Sequence, residues 1–151
     1  KFIRQMSDLF RYVLDCRDKE LVSLKEEVDF MKSYAWLLQT RFGDKLHLSI
    51  TLNEDCQALI VPMTLQLLVE NAVKHNEVSE KYPLHIAIKQ NGDFIEVENA
   101  LKLKNSGKDS KNTGLRNISQ QYSFFTDRQI EIHADTKTYL VRIPIIQKTE
   151  K

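Results

Sequence analysis

The sequence predicts an α+β fold in which helices cover one face of a mixed, mostly antiparallel sheet, with a helical arm in front of this sandwich. Over the first 42 residues, apolar side chains recur at three- and four-residue spacing, which is typical of helices. From Lys45 onward, several short segments alternate apolar and polar residues, which is typical of half-buried strands. The predicted order is helix, helix, strand, helix, strand, strand, loop, helix, strand, strand.

The arm is predicted to contain two helices. The first has an apolar stripe that needs a partner, formed by Phe2, Ile3, Met6, Leu9, Phe10, Val13 and Leu14. The second helix begins after Ser23, because Ser23 and Glu26 have the spacing of a capping box. Its apolar seam steps by four and three residues up to Phe42, and Gly43 ends it. We therefore place the arm at residues 1–42 and a globular domain at residues 43–151.

The globular domain opens with a strand and a third helix. The strand carries the alternating residues Leu46, Leu48, Ile50 and Leu52. Pro62 suits the first turn of the helix, which is predicted to run to about Ser79. After Pro83, a turn at Asn91-Gly92 joins two alternating segments into a hairpin.

The last third of the chain begins with a segment that has neither the helical nor the strand periodicity of apolar residues. Residues Leu101 to Asn112 are rich in Lys, Asn, Ser and Gly and predict a long loop. Thr113 is a natural N-cap for a short helix that reaches about Phe125. Two final strands carry Ile130, Ile132, Tyr139, Val141 and Ile143.

Composition excludes several classes of function. The 22 basic side chains balance 21 acidic ones, so no electrostatic feature favours nucleic acid or an acidic membrane surface. Cys16 and Cys56 show no metal-binding or disulfide pattern, which favours a reduced, cytoplasmic setting. No apolar run approaches the roughly 20 residues of a membrane span. The chain starts without methionine inside a predicted helix, so we expect it to be part of a longer protein.

The third helix carries a polar cluster. Asn71, Lys74 and His75 stand at i, i+3 and i+4 and therefore share one side of the helix. An amide oxygen, an ammonium and an imidazole together suit a magnesium-bound polyphosphate. The residues alone leave a second interpretation equally open, in which the two cations cap the helix C-terminus and Asn71 is solvated.

Four segments resemble a known family. Pro62 to His75 resembles the N box of the GHKL ATP-binding fold of histidine kinases, gyrase, Hsp90 and MutL, and its wording Pro-x7-Glu-Asn-Ala-x-Lys-His is similar to the LytS/YehU-like sensor histidine kinases. Ser7 to Leu14 resembles the end of that family's dimerisation helix. Leu24 to Asp44 resembles the helix leading into its catalytic domain, and Thr113 to Ile118 resembles a reduced second glycine box.

The resemblance implies a GHKL (Bergerat) sandwich behind a helical arm. Residues 1–42 would be the end of the dimerisation region and a connecting helix, and residues 43–151 would be the ATP-binding catalytic domain. The implied activity is that of a protein histidine kinase with ATP and Mg²⁺ as cofactors. The implied partners are a second copy in the full-length protein and a response regulator, the LytTR type among the candidates. The implied location is the cytoplasmic domain of a bacterial inner-membrane protein, attached to the membrane only by segments outside this chain.

The resemblance also assigns roles on the third helix. The side-chain oxygen of Asn71 would coordinate Mg²⁺, a cation that accepts hard oxygen ligands. Lys74 and His75 would contact phosphate oxygens. Glu70 would either bind a metal-bound water or be a solvated neighbour of Lys74.

The other site residues follow the family pattern less closely. Asn99 replaces the aspartate that binds the adenine amine in the wider family, and the alternative is a core asparagine bonded to neighbouring backbone. Where relatives have several glycines, this chain has Thr113, Gly114 and Leu115. The resemblance implies that the start of a helix there binds phosphate through its free N–H groups. The alternative is a capped helix that binds no ligand. Four loop lysines would form a lid over the nucleotide or are simply solvated: Lys102, Lys104, Lys108 and Lys111.

Two absences shape the expected activity. Gyrase-like ATPases carry a glutamate four residues before the N-box asparagine, but this chain has Leu67 there, which favours phosphoryl transfer over ATP hydrolysis. No histidine of the chain has the context of the family's phosphoacceptor, so the acceptor is expected upstream and the catalytic residue is unassigned. The alternatives are a pseudokinase that serves dimerisation, and an anti-sigma serine kinase on the same fold.

Overall fold

The computed structural model describes residues 1–53, 57–104 and 113–148. These residues contain four α-helices and eight strands. In chain order the elements are α1 (Phe2–Cys16), β1 (Val22–Ser23), α2 (Leu24–Phe42), β2 (Leu46–Thr51), β3 (Ala58–Ile60), α3 (Thr64–His75), β4 (Leu84–Asn91), β5 (Phe94–Ala100), α4 (Thr113–Ser123), β6 (Glu131–Ala134), β7 (Thr138–Pro144) and β8 (Ile146–Gln147).

The main sheet has five strands in the order β2-β4-β5-β7-β6. Strands β2 and β4 are parallel, with Leu46 opposite Leu84, and the other neighbours are antiparallel. The mixed, mostly antiparallel sheet predicted from the sequence is therefore confirmed. The hairpin between β4 and β5 is also confirmed, but its two loop residues are Gly92 and Asp93, one position later than predicted. Gly92 has a φ of 60°, a left-handed conformation that glycine adopts without strain.

Helices α2, α3 and α4 cover one face of this sheet. Alternate residues of the strands are buried on that face, among them Leu46, Leu84, Ile86, Ile88, Ile95, Val97, Val141 and Ile143. The seam of α2 contributes Leu24, Val28, Met31 and Leu38 to the same core. The predicted capping box is present, since the Ser23 hydroxyl accepts from the Glu26 N–H at 3.1 Å and the Ser23 N–H donates to the Glu26 carboxylate at 3.0 Å. The predicted α+β sandwich is thereby confirmed.

Helix α1 packs along α2 through one side only. Met6, Leu9 and Tyr12 are half-buried and Cys16 is buried. The other residues of the predicted stripe are exposed, so only part of it is covered: Phe2, Ile3, Phe10, Val13 and Leu14. The stripe thus finds part of its partner in α2. Within the described ranges, no helix has both the length and the apolar character that crossing a membrane requires.

A second, three-stranded sheet with the order β1-β3-β8 was not predicted. It pairs Val22 with Ile60 and Leu59 with Ile146, all antiparallel. Strands of two or three residues are too short to show an alternating pattern, so sequence periodicity could not reveal them. This small sheet ties the start of α2 to the segment that leads into α3.

Helix α3 is shorter at both ends than predicted. Pro62 lies before the helix and not in its first turn, because Met63 adopts a left-handed conformation with a φ of 67° and the helix begins at Thr64. The helix ends at His75 and not near Ser79, because Asn76 has an extended backbone. Helix α4 begins at Thr113 and ends at Ser123, two residues before the predicted end.

Candidate functional site

Helix α3 turns its polar cluster away from the core. Leu65, Leu68, Val69 and Ala72 form its buried face. Asn71 and His75 are half-buried on one flank, and Lys74 is exposed beside them. The helix therefore presents an amide, an imidazole and an ammonium along one side, as the sequence predicted.

The start of α4 lies against this flank of α3. A Cβ atom on Gly114 would be 2.8 Å from Cδ1 of Leu67, so only glycine fits there without displacing the leucine. Leu67 precedes Asn71 by one helical turn, and Gly114 is thereby brought near the polar cluster. The Leu115 side chain is buried in the core. The predicted capping role of Thr113 concerns a side chain outside the described part of the molecule.

The segment after β5 is fastened to the end of α3. The Lys104 N–H donates to the His75 carbonyl at 3.0 Å, and the Glu77 N–H donates to the Lys102 carbonyl at 2.7 Å. Asn76 is buried and uses both ends of its side chain: Nδ2 donates to the Ala72 carbonyl at 2.9 Å and Oδ1 accepts from the Lys102 N–H at 2.9 Å. The start of the predicted lid is thus anchored by a residue that sequence reasoning missed.

We expect Asn76→Ala to destabilise the chain by about 2 kcal/mol, because it leaves the Lys102 N–H and the Ala72 carbonyl without these partners. The loss of stability should also be visible locally, as faster hydrogen exchange of the Lys102 and Lys104 amides. Urea unfolding and exchange measurements check this. Asn53→Ala, at an exposed asparagine, is the control and should change neither. Equal effects in the two variants would contradict the anchoring role.

The predicted lid lysines differ in their surroundings. The Lys102 ammonium stands 4.3 Å from the ring centre of Tyr82, a cation–π contact. Lys104 lines a cleft of about 470 Å³ between α2 and α3, together with Arg41 and Lys74. Three cations around one cleft favour an anionic ligand. Lys108 and Lys111 lie outside the described residues.

Glu70 forms hydrogen bonds on the side of α3 that faces α2. Its carboxylate accepts from the Tyr34 hydroxyl at 3.2 Å and from Gln66 Nε2 at 2.9 Å. Glu70 also lines the cleft that holds Lys74 and Lys104, so it offsets part of the positive charge there.

Asn99 lies on the helix-facing side of β5, as the alternation predicted. The side chain is buried between its cross-strand neighbours Ile86 and Tyr139. Its Nδ2 group donates to the Ala100 carbonyl at 2.9 Å. Oδ1 is therefore the atom through which Asn99 would accept a hydrogen bond from a ligand.

The entry turn of α3 is held by Glu27 of α2, a second residue to which the sequence analysis assigned no role. Glu27 is fully buried, and its carboxylate accepts from the N–H groups of Met63 at 3.1 Å and Leu65 at 3.2 Å. The Tyr12 hydroxyl of α1 donates to the same carboxylate at 2.6 Å. Burial raises the pKa of Glu27, although these three hydrogen bonds act in the opposite direction.

Comparisons with known proteins agree with this architecture. Residues 1–46 match the family model described as histidine kinase. The sensor protein LytS of Staphylococcus saprophyticus is 30% identical, over 89% of this chain and 26% of that protein. The cytoplasmic segment of histidine kinase QseC has a TM-score of 0.53 at 14% identity, over 89% of this chain and 80% of that one. The catalytic domain of histidine kinase ThkA has a TM-score of 0.52 at 14% identity, over 82% of this chain and 95% of that one.

The fold is therefore that of a histidine kinase catalytic domain of the GHKL type. Within that class, the chain is homologous to the LytS sensor kinases, so the family resemblance drawn from the motifs is confirmed. The chain spans about a quarter of the length of the LytS protein that it matches.

Proposed function

We propose that this chain is the ATP-binding catalytic part of a two-component sensor histidine kinase. The observation that carries the proposal is the flank of α3, where Asn71 and His75 follow by one and two turns the residue Leu67, which packs against the start of α4 at Gly114. Bound ATP would supply a γ-phosphoryl group for transfer to a histidine upstream of this chain. In the full-length protein, we propose a homodimer that passes the phosphoryl group to a response regulator, and a cytoplasmic position for this domain.

The donor set of the described residues fits Mg²⁺-ATP. Asn71 offers the hard oxygen that Mg²⁺ accepts, and Lys74 and His75 offer positive charge and an N–H to phosphate oxygens. The first turn of α4 offers backbone N–H groups, and the glycine at position 114 lets that turn approach α3 closely. Asn99 would accept from the adenine amine through Oδ1.

Leu67 supports transfer to another acceptor over hydrolysis of ATP. Its side chain packs against Gly114, at the position where gyrase-like ATPases carry their glutamate. A leucine cannot remove a proton from water, so no base acts from this position.

Phosphoryl transfer tests the proposal. Incubated with radiolabelled ATP and Mg²⁺, the chain alone should neither label itself on histidine nor hydrolyse ATP at a useful rate. It should label an added polypeptide that carries the upstream helix of the same protein, because that helix would supply the acceptor. The label should be acid-labile, as a phosphohistidine is. Acid-labile label on the chain alone would contradict the assignment of the acceptor to the upstream region.

Asn99 provides a test of base recognition. An amide can flip and donate to the guanine carbonyl, whereas a carboxylate would be repelled by it. We therefore expect Asn99→Asp to sharpen the preference for ATP over GTP by about 1 kcal/mol, measured by competition binding of both nucleotides. Identical selectivity in wild type and variant would mean that Asn99 does not read the base.

A pseudokinase is the second candidate, and two contacts favour it. Asn99 already bonds to the Ala100 carbonyl, and Leu115 is buried in the core, so both residues have structural uses without nucleotide. Magnesium-dependent ATP binding by calorimetry separates this candidate from the kinase. An anti-sigma serine kinase remains the third alternative, and phosphoamino-acid analysis of the product would identify it.

A further inference from the structure

Helix α3 begins without a cap of its own. Met63 occupies the N-cap position in a left-handed conformation, which is unfavourable for a residue other than glycine, and it provides no side-chain hydrogen bond to the helix. The N–H of Leu65 belongs to the first turn and has no partner within the helix. The carboxylate of Glu27 accepts both this N–H and that of Met63. The start of α3 therefore depends on the Glu27 carboxyl group of α2, which supplies the hydrogen-bond acceptors for its first N–H groups.

Glu27 is held in turn by the arm. The Tyr12 hydroxyl donates to Oε2 of Glu27, the same oxygen that accepts from Met63. The Tyr12 ring stacks on Phe30 of α2, with ring centres 4.3 Å apart and an angle of 17° between the planes. A displacement of α1 along α2 would consequently move the Tyr12 hydroxyl away from the carboxylate that caps α3.

The capped turn lies close to the proposed nucleotide site because both belong to helix α3. Leu65 and Asn71 are six residues apart, which is about 9 Å along the helix axis. The segment just before this turn is bonded to α4, where the Tyr122 hydroxyl accepts from the Val61 N–H at 3.3 Å. Groups from α1, α2 and α4 thus converge on the point where α3 begins.

We propose that Glu27 is a positioning residue for α3, and that its bond to Tyr12 couples the position of the arm to the affinity of the nucleotide site. This inference rests on the proposed function, because it concerns Mg²⁺-ATP bound beside Asn71. Separation of Tyr12 from Glu27 loosens the entry turn of α3 and weakens nucleotide binding.

The test uses the whole 151-residue chain and two variants. Tyr12→Phe removes the hydroxyl and keeps the ring that stacks on Phe30. Glu27→Gln keeps the shape of the side chain and one acceptor oxygen. The control is Asn91→Ala, which removes another side-chain donor to a glutamate carboxylate, the bond to Glu96 in the β4–β5 hairpin, away from α3. Each chain is measured for Mg²⁺-ATP affinity by calorimetry, at a temperature where circular dichroism shows it folded, and for hydrogen exchange at Leu65 and Asn71.

We expect Tyr12→Phe and Glu27→Gln each to weaken Mg²⁺-ATP binding by about fivefold or more, the equivalent of one lost hydrogen bond. Exchange at Leu65 and Asn71 should become faster in both, and Asn91→Ala should change neither quantity. A purely structural bond would lower the melting temperature and leave affinity unchanged, and that result would overturn the proposal. If the wild-type chain binds no Mg²⁺-ATP, the proposed function fails, and unchanged exchange in Tyr12→Phe would separately overturn the positioning role.

Discussion

Asn71→Ala is expected to abolish magnesium-dependent ATP binding while the domain stays folded. The variant removes the amide oxygen proposed to coordinate Mg²⁺, and neither Lys74 nor His75 can replace it, because Mg²⁺ takes oxygen ligands and both of these side chains end in nitrogen. Calorimetry should detect no magnesium-dependent binding of ATP by the variant at concentrations that saturate the wild type. Asn71 is half-buried on a flank of α3, so the free energy of unfolding should change by no more than about 1 kcal/mol.

The control for this variant is Asn91→Ala, at the end of β4, where the same change removes an exposed side chain that donates to Glu96. It should leave ATP affinity unaltered. Repeating both titrations with EDTA separates metal-dependent from metal-independent binding. If Asn71→Ala binds Mg²⁺-ATP as tightly as the wild type, Asn71 has no place in the site, and the N-box assignment that rests on it is wrong.

Local sequence patterns predicted the elements whose residues are close along the chain. The capping box of α2 and the β4–β5 hairpin depend on side chains within a few positions of one another, so spacing alone revealed them. The end of α3 depends instead on Asn76, whose side chain reaches the distant backbone of Lys102. No periodicity encodes such a contact, and the apolar and polar spacing up to Ser79 wrongly extended the helix.

The residues of the candidate site also divide into those that local spacing predicts and those that only the fold brings together. The common side of Asn71, Lys74 and His75 follows from helical geometry, and the structure has them as expected. The approach of Gly114 to Leu67 joins residues 47 positions apart, so the sequence could suggest a helix start at Gly114 but not its neighbour. The role of Glu27 could not be predicted for another reason. Beside Glu26 it resembles one more acidic residue in the first turn of an exposed helix, and only the fold shows that it is buried.

Replacing Glu27 by leucine is expected to lower the free energy of unfolding by about 3 kcal/mol or more near pH 4.5. Leucine has a similar volume, so the cost arises mainly from lost hydrogen bonds and not from a cavity. The Tyr12 hydroxyl and the N–H groups of Met63 and Leu65 all lose their acceptor. Urea unfolding of both chains measures the difference. Asp29→Leu, at an exposed position of the same helix, is the control and should stay within about 0.5 kcal/mol of wild type.

The cost of Glu27→Leu should depend on pH with a definite sign. Because burial raises the pKa of Glu27 above its ordinary value of 4.5, the folded chain keeps this proton when the unfolded chain has lost it. The contribution of Glu27 to stability is fully present below 4.5 and is lost as the pH rises through the folded pKa. Tyr12 and Cys16 beside it have raised pKa values and stay neutral over this range. The stability difference between wild type and Glu27→Leu should therefore shrink as the pH rises. A difference that widens instead would mean that the three hydrogen bonds outweigh burial, and that Glu27 caps α3 as a fully ionised carboxylate.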